Sequence, residues 1–275
     1  DQAYERVERG EHMRGARLAV RLEFLRDGHA DGVDDAGGDR RRIYADRVGE
    51  ILSGKVQKLE RGNVFIDLKR TTGLLPYEEQ IPGEKYKQGE RVRAYLYRVE
   101  ETPKGIFLKL SRSHPKFLEE LFKQEAPEVA SGTVIMKAIA REAGSRSKVA
   151  VQSIDEHIDP VGSLVGQRGV RVATVMSELG GEKIDIIEWS ADQKRFIEDA
   201  LSPAKILNIE TDDEEKKAIV EVSPDQQSLA IGKGGQNVRL AAKLTGWKID
   251  IKSTAAPIVA EENDDLETAN GSDGK

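Results

Sequence analysis

Two tetrads of the form Gly-x-x-Gly, Gly166-Gln167-Arg168-Gly169 and Gly232-Lys233-Gly234-Gly235, each place a cation between glycines just before a helical pattern. Glycine lets the backbone turn sharply and approach a ligand with no Cβ in the way. The helix that follows offers unpaired N–H groups and the positive end of its dipole, which suits a phosphate. A cation inside the loop adds attraction to a nucleic-acid backbone. Between Pro160 and Ser177 the bases are Arg168 and Arg171, with no acid; between Gln226 and Lys248 they are Lys233, Arg239, Lys243 and Lys248, again with no acid. Residues 131–252 as a whole carry 17 bases and 19 acids, so the acid-free windows coincide with the loops. Neither loop has the G-x-x-x-x-G-K-[ST] spacing of a nucleotide-binding P-loop.

Other side chains with chemical potential are sparser. Phe65, Tyr95, Tyr97 and Phe107 alternate with aliphatic residues and lie near Arg91, Arg93 and Lys109. Rings beside cations on a strand surface can stack bases and hold phosphates, or cap a core or an interdomain contact. The histidines His12, His29, His114 and His157 are scattered without a partner at metal spacing. Asp155, Glu156 and Asp159 around His157 read as turn and cap residues, and no metal or cofactor is expected. With no Ser/His/Asp or paired-carboxylate arrangement, catalysis is not expected either.

The elements that must carry these residues follow from the hydrophobic periods. From Glu50 to Arg112 the period is near two: Val64, Ile66 and Leu68, then Val92, Ala94 and Leu96, then Ile106, Leu108 and Leu110 define strand faces. With Glu50–Leu59 and Thr72–Leu75 these make five strands within residues 50–112, a set that suits a closed OB-type barrel. Farther on, Gly166 recurs at Gly232, Val172 at Val238, Leu179 at Leu244, and Ile184-Asp185-Ile186 at Ile249-Asp250-Ile251; Ser163-Leu164 pairs with Ser228-Leu229. The offset of 65 or 66 residues indicates a duplicated small fold reading helix, glycine loop, helix, strand, preceded by strands. Val172, Val175, Met176 and Leu179 follow the i, i+3, i+4, i+7 rule of a buried helix face.

Composition bounds the rest. The 275 residues include no cysteine, which excludes a disulfide framework and a thiolate metal site. No apolar run approaches the ~20 residues needed to cross a bilayer, so no membrane partner is expected. The net charge of −6 is concentrated at one end: residues 258–275 hold six acids and one base, and the body has 42 bases against 43 acids. Residues 254–275 read as an acidic disordered tail. Residues 1–54 contain ten arginines and no lysine, and residues 1–47 are expected to be an unassigned leader, or the remnant of another domain.

The strings GKVQ, GNVFIDL, TTGLLP, GERVRAYLYRVE and GIFLKLSR resemble the S1-type RNA-binding OB fold. Together with REAGSRSKVAV, IDPVGSLVGQRGVRV, ELGGEKIDIIEW, ALSPAKI and SLAIGKGGQNVRLAAKLTGWKIDI, they resemble the NusA family of bacterial transcription termination/antitermination factors over about residues 40–253. The resemblance implies a multidomain α+β architecture: an S1-type barrel at 48–112, a linker at 113–130, and two tandem α/β KH domains at 131–201 and 202–253. KH modules clamp a few backbone nucleotides with a glycine loop. By match of position, Gly166, Gln167, Arg168, Gly169 and Arg171 in the first copy, and Gly232, Lys233, Gly234, Gly235, Gln236, Asn237 and Arg239 in the second, would contact RNA. Phe65 and Tyr97 are the barrel candidates. Arg141, Arg146 and Lys148 lie in a matched string and are expected to brace the modules or add secondary RNA contacts.

Family membership further implies a cytoplasmic, non-enzymatic factor working on nascent single-stranded RNA with RNA polymerase and other elongation factors. Family members carry a larger N-terminal polymerase-binding domain than the leader here, so direct polymerase binding by this chain is not expected. The alternative is an RNA-binding accessory module of an RNA-processing enzyme of the polynucleotide phosphorylase type, which would place the KH before the barrel beside a large phosphorolytic core. A ribosomal structural protein would carry one KH and more positive charge.

Overall fold

The computed structural model describes residues 44–102 and 105–254. The expected leader, apart from its last residues, and all but the first residue of the expected acidic tail lie outside the described residues. Alternating burial builds the barrel: β1 (Ile51–Glu60), β2 (Asn63–Asp67), β3 (Thr72–Leu75), β4 (Arg91–Thr102) and β5 (Gly105–Ser111) close in the order β1-β2-β3-β5-β4. Its core includes Val56, Val64, Ile66, Leu75, Ala94, Leu96, Leu108 and Leu110, with Val56 opposite Ile66 and Val64 opposite Leu75. Period-two alternation sends these residues inward and leaves Phe65, Leu74, Phe107 and Lys109 on the other face. Tyr44, placed in the leader by sequence, is buried in this core.

The stretch 113–130, expected as a linker, instead forms α1 (Pro115–Glu125) and α2 (Pro127–Ala130). A proline in the first helical turn starts a helix rather than breaking one, because its missing N–H has no partner there anyway. Phe117, Leu118, Leu121 and Phe122 line one side of α1 and are buried with Val134, Val149, Leu164 and Leu179. His114 caps the helix, its Nδ1 accepting from the Lys116 amide at 3.1 Å, and its ring stacks on Tyr95 of the barrel at 5.1 Å.

Two modules of one topology follow. In the first, β6 (Val134–Glu142), β7 (Arg146–Ser153) and β8 (Lys183–Glu188) form a sheet in that order, with α3 (Pro160–Val165) and α4 (Val170–Glu178) between β7 and β8. In the second, β9 (Asn208–Asp212), β10 (Lys217–Val222) and β11 (Lys248–Ser253) enclose α6 (Pro224–Ile231) and α7 (Gln236–Thr245). The central strand of each sheet runs antiparallel to the first strand and parallel to the last. A helix precedes each sheet: α1 in the first module and α5 (Gln193–Ala200) in the second. Phe196, Ile197 and Ala200 of α5 pack with Leu240, Ala241 and Leu244, so α5 belongs with the second module's core rather than with the first domain as drawn from sequence.

The first module's sheet is covered on both faces. One side receives α1, α3 and α4. On the other, Ala140, Ala150 and Ile187 meet the α7 residues Leu240, Ala241 and Leu244 of the second module. Alanines on the sheet let the helix approach closely, and one apolar core then spans both modules.

Candidate nucleic-acid interface

The two glycine loops are built alike. Gly166 (φ 73°, ψ 175°) and Gly232 (φ 75°, ψ 170°) end α3 and α6, and their amides donate to Gly162 O and Ser228 O at 2.8 and 2.9 Å. A single 3-10 turn then closes through Gly169 N to Gly166 O and Gly235 N to Gly232 O, both at 3.1 Å. Gly169 (φ 77°) and Gly235 (φ 74°) are left-handed and launch α4 and α7. These bonds put the loops in register at an offset of 66, which aligns buried Leu164 with buried Ala230 and leaves Leu229 at 47% exposure. The pairing of Ser163-Leu164 with Ser228-Leu229 drawn from sequence is therefore one residue out at this point.

Arg168 (φ 53°) occupies the left-handed position that Gly234 (φ 59°) fills in the second loop. A non-glycine residue there is held against its own preference. Gln167, Arg168, Lys233 and Gly234 are exposed, and neither loop cation forms an ion pair among the described residues. Each therefore stands at a helix start with its charge available to a phosphate.

The flanking candidates are placed differently. Gln236 donates to Glu142 Oε2 at 2.8 Å and to Ser145 Oγ at 2.7 Å. Arg239 donates through Nε to Glu142 Oε1 at 2.6 Å and through Nη1 to Gly234 O at 3.0 Å. The Arg239 hydrogen bond holds the Glu142 carboxyl below its usual range against a burial effect that opposes it. A carboxylate of the first module thus holds two residues beside the second module's loop. Sequence reasoning missed Glu142, which lies 94 and 97 residues from these partners and has no local signature. Arg171 is turned inward, toward Ser163 O and Glu128, and Asn237 is buried at 2% exposure.

On the barrel, Phe65 and Phe107 line an open hollow of about 590 Å³ with Lys58, Arg61, Asn63 and Thr72. Lys58 Nζ sits 4.7 Å from the Phe65 ring centroid, a cation over the negative face of the ring. Tyr77, 71% exposed, stands beside this hollow: its amide donates to Asn63 Oδ1 at 3.1 Å. It follows β3 on a short 3-10 turn, outside the alternation that marked the other rings. Tyr95 and Tyr97 face elsewhere. Both pack against the core formed with α1, and burial raises both phenol pKa values. The structure thus brings Phe65 to an open face with Phe107 and sets Tyr97 at the junction with the first module.

The remaining cations brace the assembly. Arg112, 3% exposed, donates twice to Glu84 (2.8 and 2.7 Å), to Arg93 O (2.5 Å), and to Glu178 Oε1 and O (2.9 and 2.7 Å), joining the barrel to α4. Arg141 makes a bidentate pair with Glu182, both side chains nearly inaccessible, and reaches His114 O at 2.8 Å. Lys148, with its pKa lowered by burial against the opposing pull of Asp185, donates to Asp185 and to Ser202 O. Arg146 pairs with Asp185 at 2.7 Å. Asp155 accepts from the His157 amide and Asp159 caps α3, as turn and cap residues do. Among the described residues, no helix is long and apolar enough to cross a membrane.

Barrel, paired glycine loops and module order together invite comparison with known families. Residues 45–111 match the S1 RNA binding domain, residues 112–189 the NusA-like first KH domain, and residues 193–257 the NusA-like second KH domain. The chain belongs to the NusA family. It is 54% identical over 215 residues to the transcription termination/antitermination protein NusA of Thermus thermophilus, covering 77% of this chain and 56% of the relative. Against the NusA of Bacillus subtilis the identity is 50% over 210 residues, 76% of this chain and 57% of the relative. The NusA of Mycobacterium tuberculosis is 45% identical over 223 residues, 78% of this chain and 64% of its own length. The chain thus spans between half and two thirds of the length of these NusA relatives. The first KH match begins at 112, in keeping with α1 as part of that module.

Proposed function

We propose that this chain binds nascent single-stranded RNA in the cytoplasm and takes part in transcriptional pausing, termination and antitermination alongside RNA polymerase and other elongation factors. It does so by binding and not by catalysis. The observation that carries the reading is the repeated loop: two left-handed glycine turns at a 66-residue offset, each with an exposed cation at the start of a helix. Gly166–Gly169 and Gly232–Gly235 would cradle backbone phosphates, with Arg168 and Lys233 supplying charge. Gln236 and Arg239 would flank the second contact, and Phe65 would stack a base on the barrel. Several modest contacts on one rigid frame add up to useful affinity.

The test is a 20-nucleotide single-stranded RNA titrated against Arg168→Asp with Lys233→Asp at several salt concentrations. The expected result is weaker binding and a shallower salt dependence, by about 0.7 in slope for every phosphate no longer neutralised. Unchanged affinity would refute the assignment of the loops.

A further inference from the structure

The opening and closing glycines of each loop do different work. A Cβ added at Gly166 would lie 2.6 Å from Cγ and 2.9 Å from Cβ of Arg171; one added at Gly232 would lie 2.7 Å from Cβ and from the amide nitrogen of Asn237. At Gly169 such an atom would meet nothing within 4 Å, and at Gly235 it would meet Arg239 Nη1 at 3.8 Å. The closing glycine supplies a backbone conformation. The opening one, also at positive φ, in addition makes room for the residue five positions on.

That residue has the same task in both copies. Arg171 Nη1 donates to Ser163 O at 2.6 Å, and Asn237 Nδ2 donates to Leu229 O at 3.1 Å and Ala230 O at 3.2 Å. Arg171 and Asn237 are equivalent at the loop offset of 66, and so are Ser163 and Leu229. The accepting carbonyls belong to the last turn of α3 or α6, where helices leave acceptors without an internal partner. Each side chain also reaches beyond its loop: Arg171 to Glu128 Oε2 on α2 at 2.9 Å, Asn237 to Leu201 O after α5 at 2.9 Å. In both modules a donor on the outgoing helix therefore ties the incoming helix and the module's leading helical segment to one point.

We propose that Arg171 and Asn237 are positioning residues, pins that hold the two glycine loops in their RNA-accepting shape without touching RNA themselves. The proposal rests on the reading that these loops bind RNA. It makes the two positions, one a charged arginine and the other a neutral asparagine, functionally alike because each donates to the equivalent carbonyl, Ser163 O or Leu229 O. The bond to the helix carbonyl needs no charge; the ion pair with Glu128 belongs to Arg171.

The experiment compares Arg171→Lys, Arg171→Ala and Asn237→Leu with Arg168→Ala in the full chain, using a 20-nucleotide single-stranded RNA. Affinity is measured against salt, and amide hydrogen exchange is followed at the loop residues. Pins predict that Arg171→Lys loses affinity as Arg171→Ala does, by a few-fold to about tenfold. The salt slope stays at the wild-type value, and exchange speeds up at 166–169. Asn237→Leu should behave likewise at 232–235. Arg168→Ala should instead lower the slope by about 0.7 with unchanged exchange. A direct phosphate contact predicts the opposite for position 171: lysine retains affinity and alanine lowers the slope, which overturns the proposal. Wild-type affinity in all three pin variants also overturns it. If Asn237→Leu fails to fold, the lysine variant at the partly exposed position 171 decides. Should Arg168→Asp with Lys233→Asp bind RNA as wild type does, the loop reading itself fails and takes the pins with it.

Discussion

Replacing Arg112 by methionine keeps most of the side-chain volume and removes a guanidinium that makes five hydrogen bonds to Glu84, Arg93 and Glu178. Breaking a buried ion pair from one side typically costs about 3–5 kcal/mol, because the abandoned partner keeps its desolvation penalty. Here the abandoned carboxylates are 22% and 24% exposed and recover some hydration, while the carbonyls of Arg93 and Glu178 lose a donor. The expected loss is therefore about 2–4 kcal/mol. At roughly 2–4 °C per kcal/mol for a structured region of this size, melting should fall by about 5–15 °C. Calorimetry and urea unfolding measure both figures. A second observable separates a clamp from a merely buried cation: with Glu178→Gln added, the double variant should lose less than the sum of the singles, by about 0.5–3 kcal/mol. A loss below about 1 kcal/mol, or strict additivity, would refute the clamp.

Two further outcomes follow from single residues. Arg168→Gly places glycine at φ 53°, where an L side chain is disfavoured; the fold should gain about 0.5–1 kcal/mol while RNA binding weakens, so melting temperature and affinity move in opposite directions. His114 is lowered from its ordinary pKa by burial and must be neutral at Nδ1 to accept from Lys116 N. Its contribution is complete above its unfolded value near 6.5 and is lost as pH falls from there toward the lower folded value. Melting temperature should therefore drop between pH 7.5 and 5 by more in the wild type than in His114→Asn, whose amide caps a helix at either pH.

The barrel strands were legible because alternation survives in them, as in buried Val64 and Ile66 and their half-buried or exposed neighbours. The glycine loops were legible because their conformation demands residue types that print themselves in sequence, at Gly166, Gly169, Gly232 and Gly235. Residues 113–130 were not: Pro115 and Pro127 are first-turn prolines, and a proline looks the same in sequence where a helix starts as where one is broken. Gln236, Arg239, Arg171 and Asn237 were found as positions but not as geometry. Their partners are carbonyls, or carboxylates such as Glu142 that lie far off along the chain, and such partners leave no periodic trace. The surroundings of Tyr97 were illegible for a related reason. Period two says which face a ring takes, and nothing about whether a helix such as α1 later covers that face.

The first module's sheet, with helices of its own on one side and α7 on the other, makes the spacing between the glycine loops a property of packed side chains. Modules on a slack tether would accept any RNA long enough to bridge them. Modules sharing a core behave as a gauge, which rewards an RNA whose phosphates arrive at the right separation and penalises one that must stretch or loop out. Selectivity of this kind needs no base-reading contact. It would show as a preference for length and spacing between two short tracts, and it would disappear if Ala140 and Ala150 were enlarged enough to lift α7 from the sheet.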